Sequence, residues 1–534
     1  MPCTALPPLP EPVAAERIEA LAQELQRQDP SLTLLRDTAD RARYSRDCHD
    51  YSPVLTPLLA GRIAQLVVRV QSVEQVMAVA GACARHGVPL TARGAGTGNY
   101  GQCVPLCGGV VIDLMGLNRL RQLDPASGVM VAEAGCILAS LDQELRLQGR
   151  SLRLAPSTWR TASLGGFIGG GSSGIGSLRW GMLRDPGQLL GLEVITVEPE
   201  PRRLWLEGEA CEPLNHAYGC NGLITALQMA TTEAVAWWQW VVDFEDWQAA
   251  VAVAQELPAT ALLLNSLCLL EGPVAAALPS PGGAPAASGH RLLLLAAADA
   301  TPLLEPWLRH RGATGVWHQA ESASRGLPLR ELTWNHTTLH WRSQQPGWTY
   351  LQLLLPRPAE AMLAALRQRW GPDLLLWHME GVRQQGENRL AGLPLLRFDG
   401  IEKLEALIAD CLSLGAQLFD PHTIYVEDGG LGLVDAGQVA AKASNDPAGL
   451  LNPGKLRGWL ERNHLDRNQV ERWFGIITQR AIRRGSFSSV KELIAKIKHF
   501  IANYNKGSAP FSWTATADSI LEKLQRLCSQ ISGT

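Results

Sequence analysis

Pro89-Leu-Thr-Ala-Arg93-Gly94-Ala95-Gly96-Thr97-Gly98-Asn-Tyr-Gly101-Gln102-Cys-Val-Pro105-Leu-Cys-Gly108-Gly109-Val110-Val-Ile-Asp-Leu114 is the stretch on which the reading of this chain turns. Glycines at 94, 96, 98 and 101 follow a short apolar run and precede a strand-like V-V-I-D-L. Backbone so rich in glycine approaches a ligand closely and presents several N–H groups to an anion, with a pyrophosphate the natural guest. Gly96-x-Gly98-x-x-Gly101 matches the spacing of the βαβ dinucleotide fingerprint, which needs a helix directly after the glycines. Here Gln102 to Gly109 carries Pro105 and two more glycines and leads into a strand, so that reading fails. No G-x-x-x-x-G-K-[ST] occurs either, which excludes a Walker loop. What remains is a strand–glycine loop–strand device, with an ordinary glycine-rich surface loop as the alternative.

R-G-A-G-T-G-x-x-G-Q followed by P-L-C-G-G-V-V-I-D-L resembles the pyrophosphate loop of the vanillyl-alcohol-oxidase-type (PCMH-type) FAD-binding family. D-lactate dehydrogenases and the glycolate oxidase flavin subunit share that domain. The resemblance implies an α+β fold: a two-subdomain PCMH-type FAD-binding domain and a mixed α/β cap. It also implies FAD as cofactor, held in this loop by Arg93, Gly94, Ala95, Gly96, Thr97, Gly98, Gly101 and Gln102. Bicovalent relatives carry a His in the loop where this chain has Thr97-Gly98-Asn99, so noncovalent FAD is expected.

The chain has 534 residues, 46% hydrophobic and 19% charged, enough for two or three packed domains. Its eleven cysteines form no C-x-x-C pair, and Cys103-x-x-x-Cys107 has no nearby His, which points to reduced buried thiols and no metal site. The first residues, M-P-C-T-A-L-P-P-L-P, lack a basic region and an apolar core, and no run of about eighteen apolar residues appears. A cytoplasmic protein without a membrane span is expected.

In chain order, residues 12–28 read as an amphipathic helix around Ile18, Leu21 and Leu25, followed by a Y-S-R-D segment within 37–47. Ser72-x-x-Gln75 reads as a capping box opening a helix that Gly87 ends. Strands are expected at 88–92, 110–114, 129–133 and 190–197, with a helix around Leu138, Leu141 and Leu145. A second glycine cluster runs from Ser163 to Gly176, after Pro156-Ser157. A flat ring lying on main chain would explain so much glycine; a flexible linker is the competing reading. The family has a similar P-S-x…S-x-G-G…R-Y-G-x-x-R-D block, which implies that Pro156, Ser157, Ser163, Gly166, Gly170 and Gly174 line the flavin, with Trp180 in place of the usual Tyr. Gly219-Cys-Asn-Gly222-Leu-Ile224-Thr225 resembles the family's G-x-x-G-x-G-I-I-T-E, which implies a backbone contact from Ile224.

The resulting organisation is a lead-in at 1–58, the FAD domain at 59–235, a cap at 236–425, and a segment at 426–458 returning to the FAD domain. Residues 272–289, rich in Ala, Pro and Gly, are expected to be disordered. Within the cap, Thr333-Trp-Asn335-His336-Thr-Thr-Leu-His340-Trp341 and Phe419-Asp-Pro-His422-Thr423 are the polar clusters able to face a flavin. Single histidines are more often structural than catalytic, yet His422, His336 and Asn335 are the candidates for proton transfer. His422 is also a candidate for a covalent flavin link from the cap side. The family resemblance implies a small-molecule CH–OH donor such as a hydroxy acid, with a quinone, carrier protein or oxygen as electron acceptor. The family's E-H-G-type motif is replaced by Glu427-Asp428-Gly429-Gly430. A non-catalytic flavin-binding accessory subunit is the alternative.

Residues 446–455, D-P-A-G-L-L-N-P-G-K, resemble the family's C-terminal ending. Beyond them the composition shifts. Residues 1–458 contain three lysines, Lys403, Lys442 and Lys455, while residues 459–534 carry twelve Lys+Arg against six Asp+Glu, a net of +6. N-Q-V-E-R-W-F-G-I-I-T-Q-R-A-I-R-R-G resembles the end of a mariner-like DDE insertion-sequence transposase, which implies a fused fragment in which Glu471 matches the third metal carboxylate. Its two aspartates have no counterpart in this tail, so no nuclease activity is expected. A short α-helical tail is expected, with Ser489-x-x-Glu492 as a capping box; its basic charge reads as a solvated face, with nucleic-acid binding through the tail as a further alternative.

Overall fold

The glycine loop hangs from a small sheet whose centre is parallel. In the computed structural model, which describes residues 4–171 and 173–461, Val110–Asp113 lies between Leu66–Arg69 and Leu90–Arg93, parallel to both. Thr33–Leu35 adds an antiparallel edge. The strands read as apolar runs because helices Ala15–Gln28 and Val73–His86 cover them. Ser72 caps the second helix by accepting the Gln75 N–H, and Gly87 ends it at φ 59°.

The second half of the FAD domain is antiparallel, ordered Leu120–Asp124, Val129–Glu133, Leu223–Glu233, Leu189–Ile195, Arg203–Glu207, with Arg150–Leu152 paired to the far end of Leu223–Glu233. Its polar face is tied by arginines: Arg121 bridges Glu133 and Glu193, both nearly buried.

From Trp237 the chain builds an eight-stranded antiparallel cap sheet with Trp237–Phe244, His290–Ala297, Leu264–Leu270 and His378–Gln384 at its heart. Period-two alternation sorts its side chains. Trp240, Val242, Phe244, Leu292 and Leu294 join one core, under helices such as Trp247–Glu256 and Glu360–Trp370. Val241, Leu293 and Leu295 face a second core, shared with Gly272–Ala277 and Asn335–Gln344.

The expectation of disorder at 272–289 is corrected by that second core. Gly272–Ala277 is a helix, and Val274, Ala275, Pro281 and Ala284 are buried. Small apolar side chains that look like low complexity in sequence here fit closely against a sheet.

The last described segment returns to the glycine loop. Leu90 donates to the Leu450 carbonyl and Asn452 donates to the Leu90 carbonyl, forming a parallel bridge between Leu90 and Leu451. Residues Met1–Trp459 form one compact unit. The transposase-like tail, Glu471 included, lies outside the described residues from 462 onward.

Candidate functional site

The loop after Leu90–Arg93 is a row of unused donors. Among the described residues, the N–H groups of Gly96, Thr97, Gly98, Gln102 and Cys103 donate to no protein acceptor, although the loop is half-buried. Buried backbone N–H groups are nearly always paired, so several in succession mark a place for an anion. Gly96 and Gly101 adopt φ 72° and 71°, and a Cβ on Gly98 would overlap the Gln102 side chain. From behind, Lys455 Nζ donates to the carbonyls of Gly101 (2.6 Å), Gln102 (2.8 Å) and Val104 (2.7 Å). Asn452 donates to Gln102 and Tyr218 carbonyls.

The second glycine cluster is a helix rather than a linker. Ser163 caps Leu164–Gly170 through the Gly166 N–H (3.3 Å), and Gly171 ends it at φ 70°. Glycine at 94 lets the two clusters touch: a Cβ there would overlap the Ser163 hydroxyl and lie 3.8 Å from Gly166. Gly174, at φ 72°, sits against the Ala155 carbonyl, beside the Ala155–Ile175 bridge.

A cavity of about 720 Å³ opens between these glycine clusters and the cap, within the size range of a nucleotide cofactor site. It gathers Thr97, Gly98 and Gln102 from the first loop, and Pro156, Ser157, Gly166 and Gly170 from the second cluster. Asn335 and His336 face it from the cap. The unused N–H groups and side-chain-free glycines along one wall fit a flavin dinucleotide.

Other expected contacts lie elsewhere. Gly94, Ala95, Gly96, Gly101, Ser163 and Gly174 lie off the cavity lining. Arg93 does not reach an anion there. Its guanidinium donates to the carbonyls of Tyr44, Gly94 and Arg46 and lies 5.4 Å over the Tyr44 ring, so it pins the loop to the Y-S-R-D segment. Ile224 is paired opposite Val194 beside a bulge, away from the lining. Trp180 belongs to a second, smaller crevice with Arg153 and Arg179 stacked on it at 4.5 and 4.6 Å.

His422 is corrected from candidate base, and from candidate flavin link, to a structural strut. It is fully buried, outside the lining, and both ring nitrogens are used. Nε2 donates to the Tyr350 carbonyl (2.9 Å), so Nδ1 accepts from the Ser52 hydroxyl (2.7 Å). Burial lowers its pKa and keeps the ring neutral.

His336 keeps a free nitrogen. Its Nδ1 faces Glu331 at 3.2 Å, which leaves Nε2 for a ligand. The ring stands on the first turn of Asn335–Gln344, entered through Trp334 at φ 53°. That kink is held by Glu380, which accepts the Trp334 N–H at 2.5 Å and His378 Nε2 at 2.8 Å. Cys268, His378 and Glu380 place ligand-type atoms within 4.8 Å of one another; Glu380 Oε1 is taken by these two donors, while Glu380 Oε2 and His378 Nδ1 have no hydrogen-bond partner among the described residues. The Asn335 carbonyl oxygen is buried without a partner. Beside it, Asn99 donates to the Tyr350 hydroxyl and Tyr100 donates to Gln352 (2.6 Å), stitching loop to cap.

Sequence reasoning passed over His216. It lines the cavity at 8% exposure, its Nδ1 donates to the Gly170 carbonyl (2.9 Å), and its Nε2 has no partner among the described residues. Burial first, then the Arg184 charge, lowers its pKa to about 4, so it is a neutral acceptor. No motif announces it. Lys455 was also missed as a functional group, although its rarity as one of three lysines in 458 residues was a usable signal.

Residues 64–203 match the family model described as FAD binding domain. Over 135 residues the chain is 28% identical to a probable mitochondrial D-2-hydroxyglutarate dehydrogenase of Oryza sativa subsp. indica, covering 25% of this chain and 24% of that protein. Over 122 residues it is 31% identical to an uncharacterized FAD-linked oxidoreductase of Mycobacterium tuberculosis, covering 23% and 26%. Over 129 residues it is 26% identical to the glycolate oxidase subunit GlcD of Bacillus subtilis, covering 24% and 27%. The chain thus spans about a quarter of the length of the curated relatives it matches. Solved structures are similar over far more of it. Alkyldihydroxyacetonephosphate synthase superposes with a TM-score of 0.62 at 15% identity, covering 85% of this chain and 88% of that one. p-Cresol methylhydroxylase gives 0.59 at 14% identity, covering 83% and 98%. No helix among the described residues is long and apolar enough to cross a membrane. Residues 64–203 are therefore an FAD-binding domain, and the chain around them has the PCMH-type fold with FAD as its cofactor.

Proposed function

We propose that the protein is an FAD-dependent oxidoreductase that oxidises a CH–OH group of a small hydroxy acid or related alcohol. The observation that carries this reading is one continuous cavity, with unpaired loop N–H groups on one wall and a free His336 nitrogen on another. When bound, FAD supplies a hydride acceptor. Thr97, Gly98 and Gln102 would hold its pyrophosphate, and Pro156, Ser157, Gly166 and Gly170 would bear on the rest of the molecule. Asn335 lies on the same wall with its side-chain oxygen unpaired and helps position the donor. His336 Nε2 takes the hydroxyl proton, while Glu331 at Nδ1 fixes the tautomer and steadies the cation that forms. Among the described residues Arg184 is the one guanidinium on the lining, shared with Glu212 (3.6 Å) and Asp435 (3.5 Å), and is the available anchor for a donor carboxylate. Partial similarity to proteins named for glycolate and D-2-hydroxyglutarate supports this donor class. We further propose that the FAD is noncovalent and the tail is without nuclease activity.

The test is anaerobic titration of the purified yellow protein with hydroxy acids and alcohols. Bleaching of the flavin band by a donor, much slowed in His336→Gln, supports the reading. A protein that holds FAD and is bleached by dithionite but by no donor is an accessory flavoprotein instead.

A further inference from the structure

Lys455 is completely buried, and no carboxylate lies within ion-pair distance of it among the described residues. A buried ammonium needs compensation, and it finds it here in three carbonyl oxygens of one four-residue stretch. That arrangement has a consequence on the opposite side of the chain. In a trans peptide the C=O and the following N–H point in opposite directions. With the Gly101 and Gln102 carbonyls turned toward Lys455, the N–H groups of Gln102 and Cys103 point away from it. These are two of the donors without a protein acceptor, and Gln102 lines the cavity.

We propose that Lys455 is a positioning residue for the cofactor's pyrophosphate: it orients the 101–103 peptides so that their N–H groups face the FAD cavity, and its positive charge behind them favours a doubly negative guest. The ammonium never touches the ligand; it acts through the peptides it holds. The inference rests on the FAD-binding domain and not on the donor proposed above.

The surroundings make the effect readable as a pH dependence. The titratable groups facing Lys455 are Asp47 from the lead-in, Cys103 and Cys107 from the loop, and Cys220 from the turn after His216. Burial pushes the Cys103 and Cys220 thiols up to about 12 and about 11 and raises Cys107, so the thiols stay neutral near pH 8. Burial lowers Lys455 itself to about 8. A bound dianion stabilises the charged form, so affinity is full below about pH 8 and falls by up to about tenfold per pH unit above it.

The experiment measures dissociation constants of FAD and of riboflavin, which lacks the pyrophosphate, for full-length apoprotein from pH 6.5 to 9, below the ionisation of the flavin ring. Wild-type FAD affinity should weaken above pH 8 while riboflavin affinity stays level. Lys455→Arg, which cannot lose its charge, should flatten the FAD profile. Lys455→Met should weaken FAD by about 10- to 100-fold below pH 8, with the deficit against wild type narrowing above it, and leave riboflavin unchanged, as expected for loss of charge-assisted hydrogen bonds. A pH-independent wild-type FAD affinity overturns the proposal, and so do equal losses of FAD and riboflavin in Lys455→Met. If Lys455→Met does not fold, the wild-type profile and Lys455→Arg still decide.

Discussion

His216 holds a left-handed backbone conformation at φ 55°, which costs a residue with a side chain of order 1 kcal/mol, and its imidazole is kept neutral in a buried place. Its folded pKa of about 4 lies below the unfolded value near 6.5, so between those limits the unfolded chain binds more protons. Its contribution is therefore intact above about pH 6.5 and is lost as the pH falls toward 4, by roughly 3 kcal/mol in all. His216→Asn tolerates the backbone angle and removes the titration; its melting temperature should fall less than that of the wild type between pH 6.5 and 4. At the active wall, His336→Gln should slow donor-driven flavin bleaching by about 10²- to 10⁴-fold in stopped flow, while FAD content is unchanged. His422→Gln should instead lower the melting temperature, because it breaks the Ser52–His422–Tyr350 link. The two histidines look alike in sequence. What separates them is burial and partners far away in the chain, Ser52 and Tyr350, which local spacing does not carry.

The elements around the cavity are held together by missing side chains. Gly94 and the Ser163 hydroxyl compete for one volume, so Gly94→Ala in the wild type should destabilise the fold and release FAD. Ser163→Ala loses a helix cap worth about 1 kcal/mol. Because it also vacates the contested space, the double variant should be more stable than the two losses added, a coupling that a thermodynamic cycle from denaturant melts would measure. The glycine loop between two strands was legible because glycine identities encode backbone angles and close approach directly. The helix Leu164–Gly170 was not anticipated, since seven residues with four glycines carry no helical propensity and owe their form to tertiary packing. Residues 272–289 went unread for a related reason: composition reports average polarity, and the fit of Val274 and Ala275 against the cap sheet is a matter of shape.

At the scale of the molecule, a small sheet with a parallel centre carries the first glycine loop, and an eight-stranded antiparallel sheet builds the cap. Residues Met1–Trp459 make one compact unit, so a chain ending at residue 461 should keep its FAD and its melting temperature within a few degrees of full length. A large loss of either would show that residues beyond 461 take part in the fold. The charge boundary near residue 458 was visible in sequence because lysine is so scarce before it. That scarcity, joined to burial, gives the body an unusual surface chemistry. Lys442 and Lys455 are closed off from solvent, whereas Lys403 stands exposed on Ile401–Ser413, a helix with no residue on the cavity lining. An amine-reactive dye thus has a single side-chain address within residues 4–461, and a fluorophore placed there leaves the FAD cavity untouched.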